Sequence, residues 1–156
     1  MNIQYQEKVP AYVFVFVMLL VSCLIFLTAL VSQFTSKAVP LTMPAKIILG
    51  IVLLLSVVVL ISFRELVITV TENQIILGFG YFKKKFYLGN IEKIEISEYK
   101  FSNYLGYGIR YGRDKTIGYT PRGGKGLKIK FKKEKRAYFF ISERPEELKM
   151  LLEKLK

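Results

Sequence analysis

The chain has 156 residues, enough for one domain of ordinary size, and a formal net charge of +12. It is 52% hydrophobic and 23% charged, which predicts a chain divided into an apolar part and a charged part. The absence of histidine removes the side chain that most often acts as general base or metal ligand near neutral pH, so histidine-dependent catalysis is excluded.

The first apolar segment runs from Ala11 to Val31 and contains 21 uncharged residues. A helix of this length reaches roughly 30 Å, the thickness of the hydrocarbon core of a bilayer. A secretory signal peptide would have a basic start and an apolar region of about 7–15 residues. Here Glu7 and Lys8 precede a longer segment, and no small-x-small cleavage site follows it. We therefore predict a membrane span over residues 11–31.

The second apolar segment, Ile47 to Phe63, has 17 residues and is near the lower length limit for a span. Lys46 could extend it by placing its ammonium group at the interface. A buried strand pair or a core helix is the alternative, but the segment is too long for one strand. We predict a two-helix transmembrane hairpin with spans at 11–31 and 47–63. The single cysteine, Cys23, lies in the first span and is interpreted as a packing residue.

The charged part begins at Arg64. Residues 64–156 hold 21 of the 24 basic residues and 11 of the 12 acidic residues, which gives them a net charge of +10. By the positive-inside rule, Arg64 and Lys83–Lys85 keep this part in the cytoplasm. Two spans then place both termini in the cytoplasm and the connecting loop outside. The predicted location is the plasma membrane, with a multi-pass topology.

From Arg64 onward, alternation and turn residues are typical of a β module. The segments ELVITVT and QIILGFG are predicted to form a hairpin, and YFKKKFYL follows. In NIEKIEISEY, residues alternate between two faces as in a strand, but the spacing of its acidic residues also suits a helix. Both a strand and a helix therefore stay open for this segment. GLKIKFK and AYFFIS are predicted as a second hairpin around the turn KKEKR. In its first strand, Leu127, Ile129 and Phe131 face one way and Lys128, Lys130 and Lys132 the other.

The last segment has helical periodicity. Leu148, Leu151, Leu152 and Leu155 recur at i, i+3, i+4 and i+7, which predicts an amphipathic helix over residues 144–155. Six or seven strands followed by one capping helix indicate a small antiparallel barrel or sandwich. The predicted fold class is membrane-anchored α+β, with a tail and helical hairpin over residues 1–63 and a β domain over residues 64–156.

Two glycine-rich segments, LGYGIRYG and RGGKG, have some of the features of phosphate-binding loops. A dinucleotide site requires a helix after the glycines, whose amides face the pyrophosphate. Aromatic and β-branched residues follow Gly108 instead, and Gly112 falls one residue late. A Walker A loop would need Lys and Ser or Thr where Gly124 and Lys125 stand. We predict no nucleotide cofactor and interpret the glycines as bends in a curled sheet.

The acidic residues do not indicate an active site. Glu95 would face away from Glu92 and Glu98 on a strand, and the adjacent Glu146 and Glu147 diverge on a helix. No activated nucleophile is evident. The sequence therefore predicts no metal site, no cofactor and no enzyme.

The layout of the C-terminal half resembles the bacterial PH-like (pleckstrin-homology-like) domains that follow two membrane spans. The matching residues are Gly106, Tyr107, Gly108, Ile109 and Arg110, then Tyr119, then Gly123, Gly124 and Gly126, then Pro145, Glu146 and Leu148. A tryptophan is common in that family at the position of Tyr107, and this chain has none. The resemblance implies a bacterial membrane protein whose cytosolic domain has a PH-like fold and acts as a binding or scaffold module.

The basic residues are the remaining functional lead. A cationic surface at a membrane would attract anionic lipid headgroups, at about 1 kcal/mol per residue, or an acidic membrane-associated protein. Nucleic acid also binds basic, aromatic strands, but tethering to a membrane disfavours it. Outward lysines could instead only keep strand edges soluble. The candidate binding residues are Arg110, Tyr119, Arg122, Lys125, Lys83, Lys84 and Lys85, with Arg113, Lys115, Lys128, Lys130 and Lys132 as further members of the surface.

A second hypothesis makes the chain a subunit of a membrane complex, in which the spans form the contacts. Small residues allow close approach of helices in a bilayer, although no G-x-x-x-G motif occurs. The small residues of the two spans are Ser22, Thr28, Gly50 and Ser56.

Overall fold

The computed structural model describes residues 2–34 and 42–156. The loop predicted between the two spans lies partly outside these residues. The elements in chain order are β1 (Ile3–Pro10), α1 (Tyr12–Phe34), α2 (Met43–Phe63), β2 (Glu65–Thr71), β3 (Gln74–Phe79), β4 (Phe82–Tyr87), β5 (Ile91–Glu98), α3 (Phe101–Tyr104), β6 (Gly108–Tyr111), β7 (Ile117–Thr120), β8 (Lys125–Phe131), β9 (Tyr138–Ile141) and α4 (Pro145–Leu155).

The two predicted apolar helices are present. The segments Tyr12–Val31 and Met43–Phe63 are each long and apolar enough to cross a membrane. α2 begins before Ile47, the predicted start, because Pro44 lies in its first turn, where no backbone donor is required. In the most apolar part of each helix, none of the residues of α1 and only 6% of those of α2 are buried. Helices that are apolar on all sides and uncovered are suited to lipid rather than water.

Each apolar helix is covered on one side by the other, and we call the pair the apolar hairpin. The partly covered positions are spaced by three or four residues, as on one face of a helix. Away from the ends that contact the β domain, they are Met18, Ser22, Ile25 and Ala29 in α1 and Ala45, Leu49, Leu53 and Ser56 in α2.

The N-terminal segment forms an unpredicted strand, β1. β1 pairs antiparallel with β2, with Pro10 opposite Glu65 and Ile3 opposite Thr71. Tyr5, Glu7 and Val9 are buried on one face. Glu7, the middle one of these three inward-facing residues, is charged. It therefore interrupts the alternation of apolar and polar residues from which a strand is predicted. Residues 3–10, placed with the helices by the sequence analysis, therefore belong to the first sheet of the β domain.

The strands form two sheets. The first has the order β1-β2-β3-β4 and the second β5-β8-β9-β7-β6. The predicted hairpins β2–β3 and β8–β9 are confirmed, and β5 is a strand rather than a helix. β7 and β9 pair in parallel, so the domain is not purely antiparallel. The described strands do not close into a barrel. The predicted barrel is therefore wrong, and the sandwich alternative describes the domain.

An aromatic core joins the two sheets. The ring of Phe86 in β4 stacks on that of Phe131 in β8 with centroids 4.4 Å apart, and it contacts Tyr138 in β9 at 4.5 Å. α4 packs against β5 and β8 and completes this core. Its Leu148 and Leu152 are fully buried, which stabilises the fold by about 1.5–3 kcal/mol for each side chain. The predicted C-terminal helix is confirmed.

Candidate functional site

We call the end of the β domain from which α1 and α2 leave the helix-proximal edge. The amide of Ala11 donates a hydrogen bond of 2.8 Å to the carbonyl of Arg64, so the two connections run side by side. The ring of Phe63, the last residue of α2, stacks on Phe79 in the core at 5.4 Å and contacts Phe14 of α1 at 5.6 Å. The apolar hairpin is therefore packed directly on the domain and not joined to it by a linker.

The second sheet reaches the same edge through the loop between β7 and β8. The guanidinium of Arg122 in this loop lies 5.8 Å from the ring centroid of Tyr12, the first residue of α1. Arg122 also forms an ion pair with Glu143, and this hydrogen bond raises its pKa. The Nε atom of Arg122 is buried and has no acceptor among the described residues. Arg122 thus links the start of α1 to the second sheet.

A buried carboxylate holds this region in place. Glu7 of β1 accepts hydrogen bonds of 2.7 Å from the hydroxyls of Tyr5 and Ser142, and another from the amide of Glu143. Burial, and next the hydrogen bond to Glu7, raise the pKa of Tyr5 to about 12. Because Glu143 also pairs with Arg122, the N-terminal strand orients the ion pair at the helix-proximal edge. Glu7 is not predictable from the sequence as a buried residue, since a single acid on a strand gives no signal of burial.

Arg122 and Lys125, two of the predicted binding residues, border one surface cavity of about 280 Å³. Its other lining residues include Ser142 and the carboxylates of Glu143 and Glu146. The cavity therefore holds equal numbers of cations and carboxylates. Such a mixed lining does not by itself attract an anion.

Arg110 and Tyr119 lie outside this cavity. The Nε of Arg110 donates a hydrogen bond of 3.0 Å to the carbonyl of Tyr107, so its exposed side chain folds back over the preceding loop. Tyr119 is 5% exposed and its ring is stacked on Phe79 at 6.4 Å. Tyr119 is therefore a core residue and not part of a binding surface, contrary to the prediction.

The glycines of LGYGIRYG act as bends. Gly106 and Gly108 have φ angles of 142° and 99°, a region that side chains rarely allow. β6 follows directly, so no helix presents its amides to a phosphate. The hydroxyl of Tyr99 donates a hydrogen bond of 2.9 Å to the carbonyl of Gly106. The predicted role of these glycines in shaping the sheet is confirmed.

The lysine triplet of β4 is divided between two faces. Lys83 and Lys85 are exposed, whereas Lys84 points toward the second sheet because successive side chains alternate. Its ammonium group lies 2.5 Å from the hydroxyl of Tyr138 and 2.9 Å from the carboxylate of Glu134. Burial opposes the charge of Lys84, but these hydrogen bonds raise its pKa overall. Lys84 therefore has a structural role between the two sheets, although its side chain stays partly exposed.

The lysines of β8 show the predicted alternation, with Leu127, Ile129 and Phe131 buried on the other face. Two of them are used within the domain. Lys128 forms an ion pair of 2.9 Å with Asp114, and Lys130 donates hydrogen bonds to backbone carbonyls of the β8–β9 turn. Most of the predicted lysine face is therefore internally satisfied.

Four exposed cations on the helix-proximal edge have no carboxylate within ion-pair distance among the described residues. Arg64 follows α2 directly, and Lys83 lies opposite Gly78 beside the β3–β4 turn. Lys125 begins β8 next to the loop of Arg122, and Arg110 lies over the loop that precedes β6. We call these four residues the edge cations.

Comparison with known proteins gives no relative. No family model, no curated protein and no solved structure matches the chain. The resemblance to PH-like domains therefore stays a prediction, and function must be inferred from the geometry of the helix-proximal edge.

Two of the small residues in the apolar hairpin have hydroxyls that are hydrogen-bonded within their own helices. The hydroxyl of Thr28 donates a hydrogen bond of 2.9 Å to the carbonyl of Ile25, and that of Ser56 donates one of 2.8 Å to the carbonyl of Val52. Both hydroxyls are satisfied within their own helices and need no partner. The hypothesis of a membrane complex held together by the spans gains no specific support from these groups.

Proposed function

We propose that the chain is a two-span protein of the bacterial cell membrane whose cytosolic, PH-like β domain is held against the inner surface and binds anionic lipid headgroups. One observation carries the proposal. The edge cations lie at the end of the domain from which both apolar helices leave. If the helices span the bilayer, these charges lie at the depth of the headgroups.

The edge cations, rather than the cavity beside Arg122, supply the attraction in this proposal. Each basic residue near an anionic surface contributes about 1 kcal/mol, and this contribution falls as salt increases. The cavity itself is a poor anion site, because Glu143 pairs with Arg122 and the carboxylate of Glu146 also lines it. A protein partner with an acidic surface is the alternative ligand. Nucleic acid is disfavoured because a bilayer would cover the edge that these cations occupy.

The proposal is tested with two variants of the full chain that lose the same charge. The first replaces the edge cations Arg64, Lys83, Arg110 and Lys125 by Gln. The second replaces four exposed cations at or near the opposite end of the domain, which are Lys85, Arg113, Lys115 and Lys132. Native mass spectrometry of the detergent-solubilised proteins measures how much phosphatidylglycerol each retains against phosphatidylcholine.

We expect the wild type and the second variant to prefer phosphatidylglycerol, and the preference of the first variant to be at least tenfold lower. Four contributions of about 1 kcal/mol together exceed the 1.4 kcal/mol that corresponds to a tenfold change in affinity. The preference should fall as salt is raised. Equal retention by both variants would show that net charge, and not the position of the edge cations, determines lipid binding.

A further inference from the structure

The β3–β4 turn carries two exposed aromatic side chains beside the end of α2. Tyr81 is 91% exposed and Phe82 is 57% exposed. The five residues from Gly78 to Phe82, which include this turn, are uncharged. Phe82 contacts Phe63 at the end of the uncovered apolar helix α2, so the turn extends a contiguous exposed apolar surface, and such surfaces mark sites of interaction with proteins or membranes.

Packing against α2 fixes the position of this turn. The ring of Phe63 lies 5.4 Å from that of Phe79 and 5.5 Å from that of Phe82, one on each side of the turn. Gly80 has a φ of 46°, and a Cβ there would lie 2.7 Å from the carbonyl oxygen of Ser62. No side chain fits between the turn and the helix. The turn is therefore held at the level of the last two residues of α2.

This level is the membrane interface if α2 spans the bilayer as far as Phe63. Tyrosine favours that interface, because its ring enters the acyl boundary while its hydroxyl stays among the headgroups. The wholly apolar ring of phenylalanine is suited to the acyl side of the same boundary. The next residue, Lys83, is exposed and would place its ammonium group among the phosphates. The backbone of the turn stays at headgroup depth, where water satisfies its polar groups.

We propose that Tyr81 and Phe82 insert into the lipid interface as a third anchor beside the two spans. Three points of attachment fix how the β domain is tilted over the membrane, which two adjacent antiparallel helices alone do not. The occupant of this surface is the bilayer itself, since the turn continues the apolar surface of α2. The inference rests on the proposed membrane topology.

Tryptophan fluorescence tests this anchor, because the chain contains no tryptophan. Tyr81→Trp places a reporter at the turn. Tyr87→Trp is the matched control, since Tyr87 is 61% exposed and lies at the other end of the same strand, opposite Gln74. Each full-length variant is reconstituted into phosphatidylcholine–phosphatidylglycerol vesicles with and without bromine on the acyl chains, which quenches on contact.

We expect blue-shifted emission and clear quenching for Tyr81→Trp, and water-like, unquenched emission for Tyr87→Trp. Equal behaviour of the two variants would overturn the anchor. Blue-shifted emission without quenching would also overturn it, because a protein surface and not lipid would then cover the turn.

A third reporter separates the anchor from the topology. Phe26→Trp lies in α1, where Phe26 is 57% exposed. If Phe26→Trp is quenched and Tyr81→Trp is not, the anchor fails while the spans stand. If Phe26→Trp is not quenched either, the proposed function fails with it.

Discussion

At the scale of single residues, Lys84 illustrates how a basic side chain can serve the fold rather than a ligand. Its ammonium group joins β4 of the first sheet to Tyr138 and Glu134 of the second. Tyr138 completes the arrangement by donating a hydrogen bond of 3.0 Å to Glu134. A network that spans two sheets stabilises their packing only while both charges are present.

We predict that Lys84→Met destabilises the domain by about 1 kcal/mol at pH 7, since the ion pair is partly exposed. Lys85→Met on the same strand is the control and should have no effect, because Lys85 is exposed. Thermal unfolding of the detergent-solubilised chain gives the comparison. An equal loss in both variants would contradict the structural role of Lys84.

The pH dependence of this loss follows from the two charges. The hydrogen bond to Lys84 lowers the pKa of Glu134 below its ordinary value of 4.5. The stability that ionised Glu134 contributes is therefore fully present above pH 4.5 and is lost as the pH falls through the lowered pKa. The pKa of Lys84 is raised above its ordinary value of 10.5. The stability that charged Lys84 contributes is therefore fully present below pH 10.5 and is lost as the pH rises through the raised pKa. The difference between wild type and Lys84→Met should therefore be largest near neutral pH and shrink at both extremes.

At the scale of elements, the most consequential pairing is β1 with β2. The apolar hairpin lies between two neighbouring antiparallel strands, so it is an insertion within a β-hairpin and not an N-terminal appendage. Because Pro10 lies opposite Glu65, the gap left by removing the helices is short enough for a tight turn.

We predict that replacing residues 12–63 by Asn-Gly yields a soluble, folded β domain. An Asn-Gly pair favours the type I′ turn that joins antiparallel strands. The variant loses the packing of Phe63 on Phe79, at a cost of about 1.5–3 kcal/mol. Circular dichroism and cooperative thermal unfolding would check the result.

A chain that begins at Arg64 is the control for this variant. It lacks β1 and the buried carboxylate of Glu7, and it leaves β2 as an open edge. We expect it to aggregate or unfold at lower temperature. If it is as soluble and as stable as the Asn-Gly variant, then β1 is dispensable for the domain.

At the scale of the whole molecule, the pairing of β1 with β2 places the N-terminal strand and the C-terminal helix in one domain. If both helices span, the two termini must lie on the same side of the membrane. From the basic residues that follow α2, we predict by the positive-inside rule that this side is the cytoplasm.

Cysteine labelling in intact cells tests this topology. In a Cys23→Ser background, Asn2→Cys and Lys156→Cys should resist a membrane-impermeant thiol reagent until the cells are opened. Thr42→Cys, just before α2, should react in intact cells. Reaction of Asn2→Cys alone would show that only one helix spans, and reaction of both terminal variants would reverse the orientation.

The candidate site was predictable only in part. The basic character of Arg110, Arg122 and Lys125 is visible in the sequence, but their separation is not. Alternation separates Lys83 from Lys84, but which of the two faces solvent and which the second sheet depends on what the strand packs against. The buried Glu7 and the stacked Tyr119 also depend on partners distant in sequence.

Local patterns in the chain are enough to establish the two apolar helices, the β2–β3 and β8–β9 hairpins and the C-terminal helix. Hydropathy and periodicity act over a few turns of helix or a few residues of strand, so they need no knowledge of the rest of the molecule. The insertion of the hairpin between β1 and β2, the parallel β7–β9 pair and the gathering of the edge cations needed the folded chain. These features depend on pairings between distant segments, and such pairings depend on the packing of the whole core rather than on the residues of either segment.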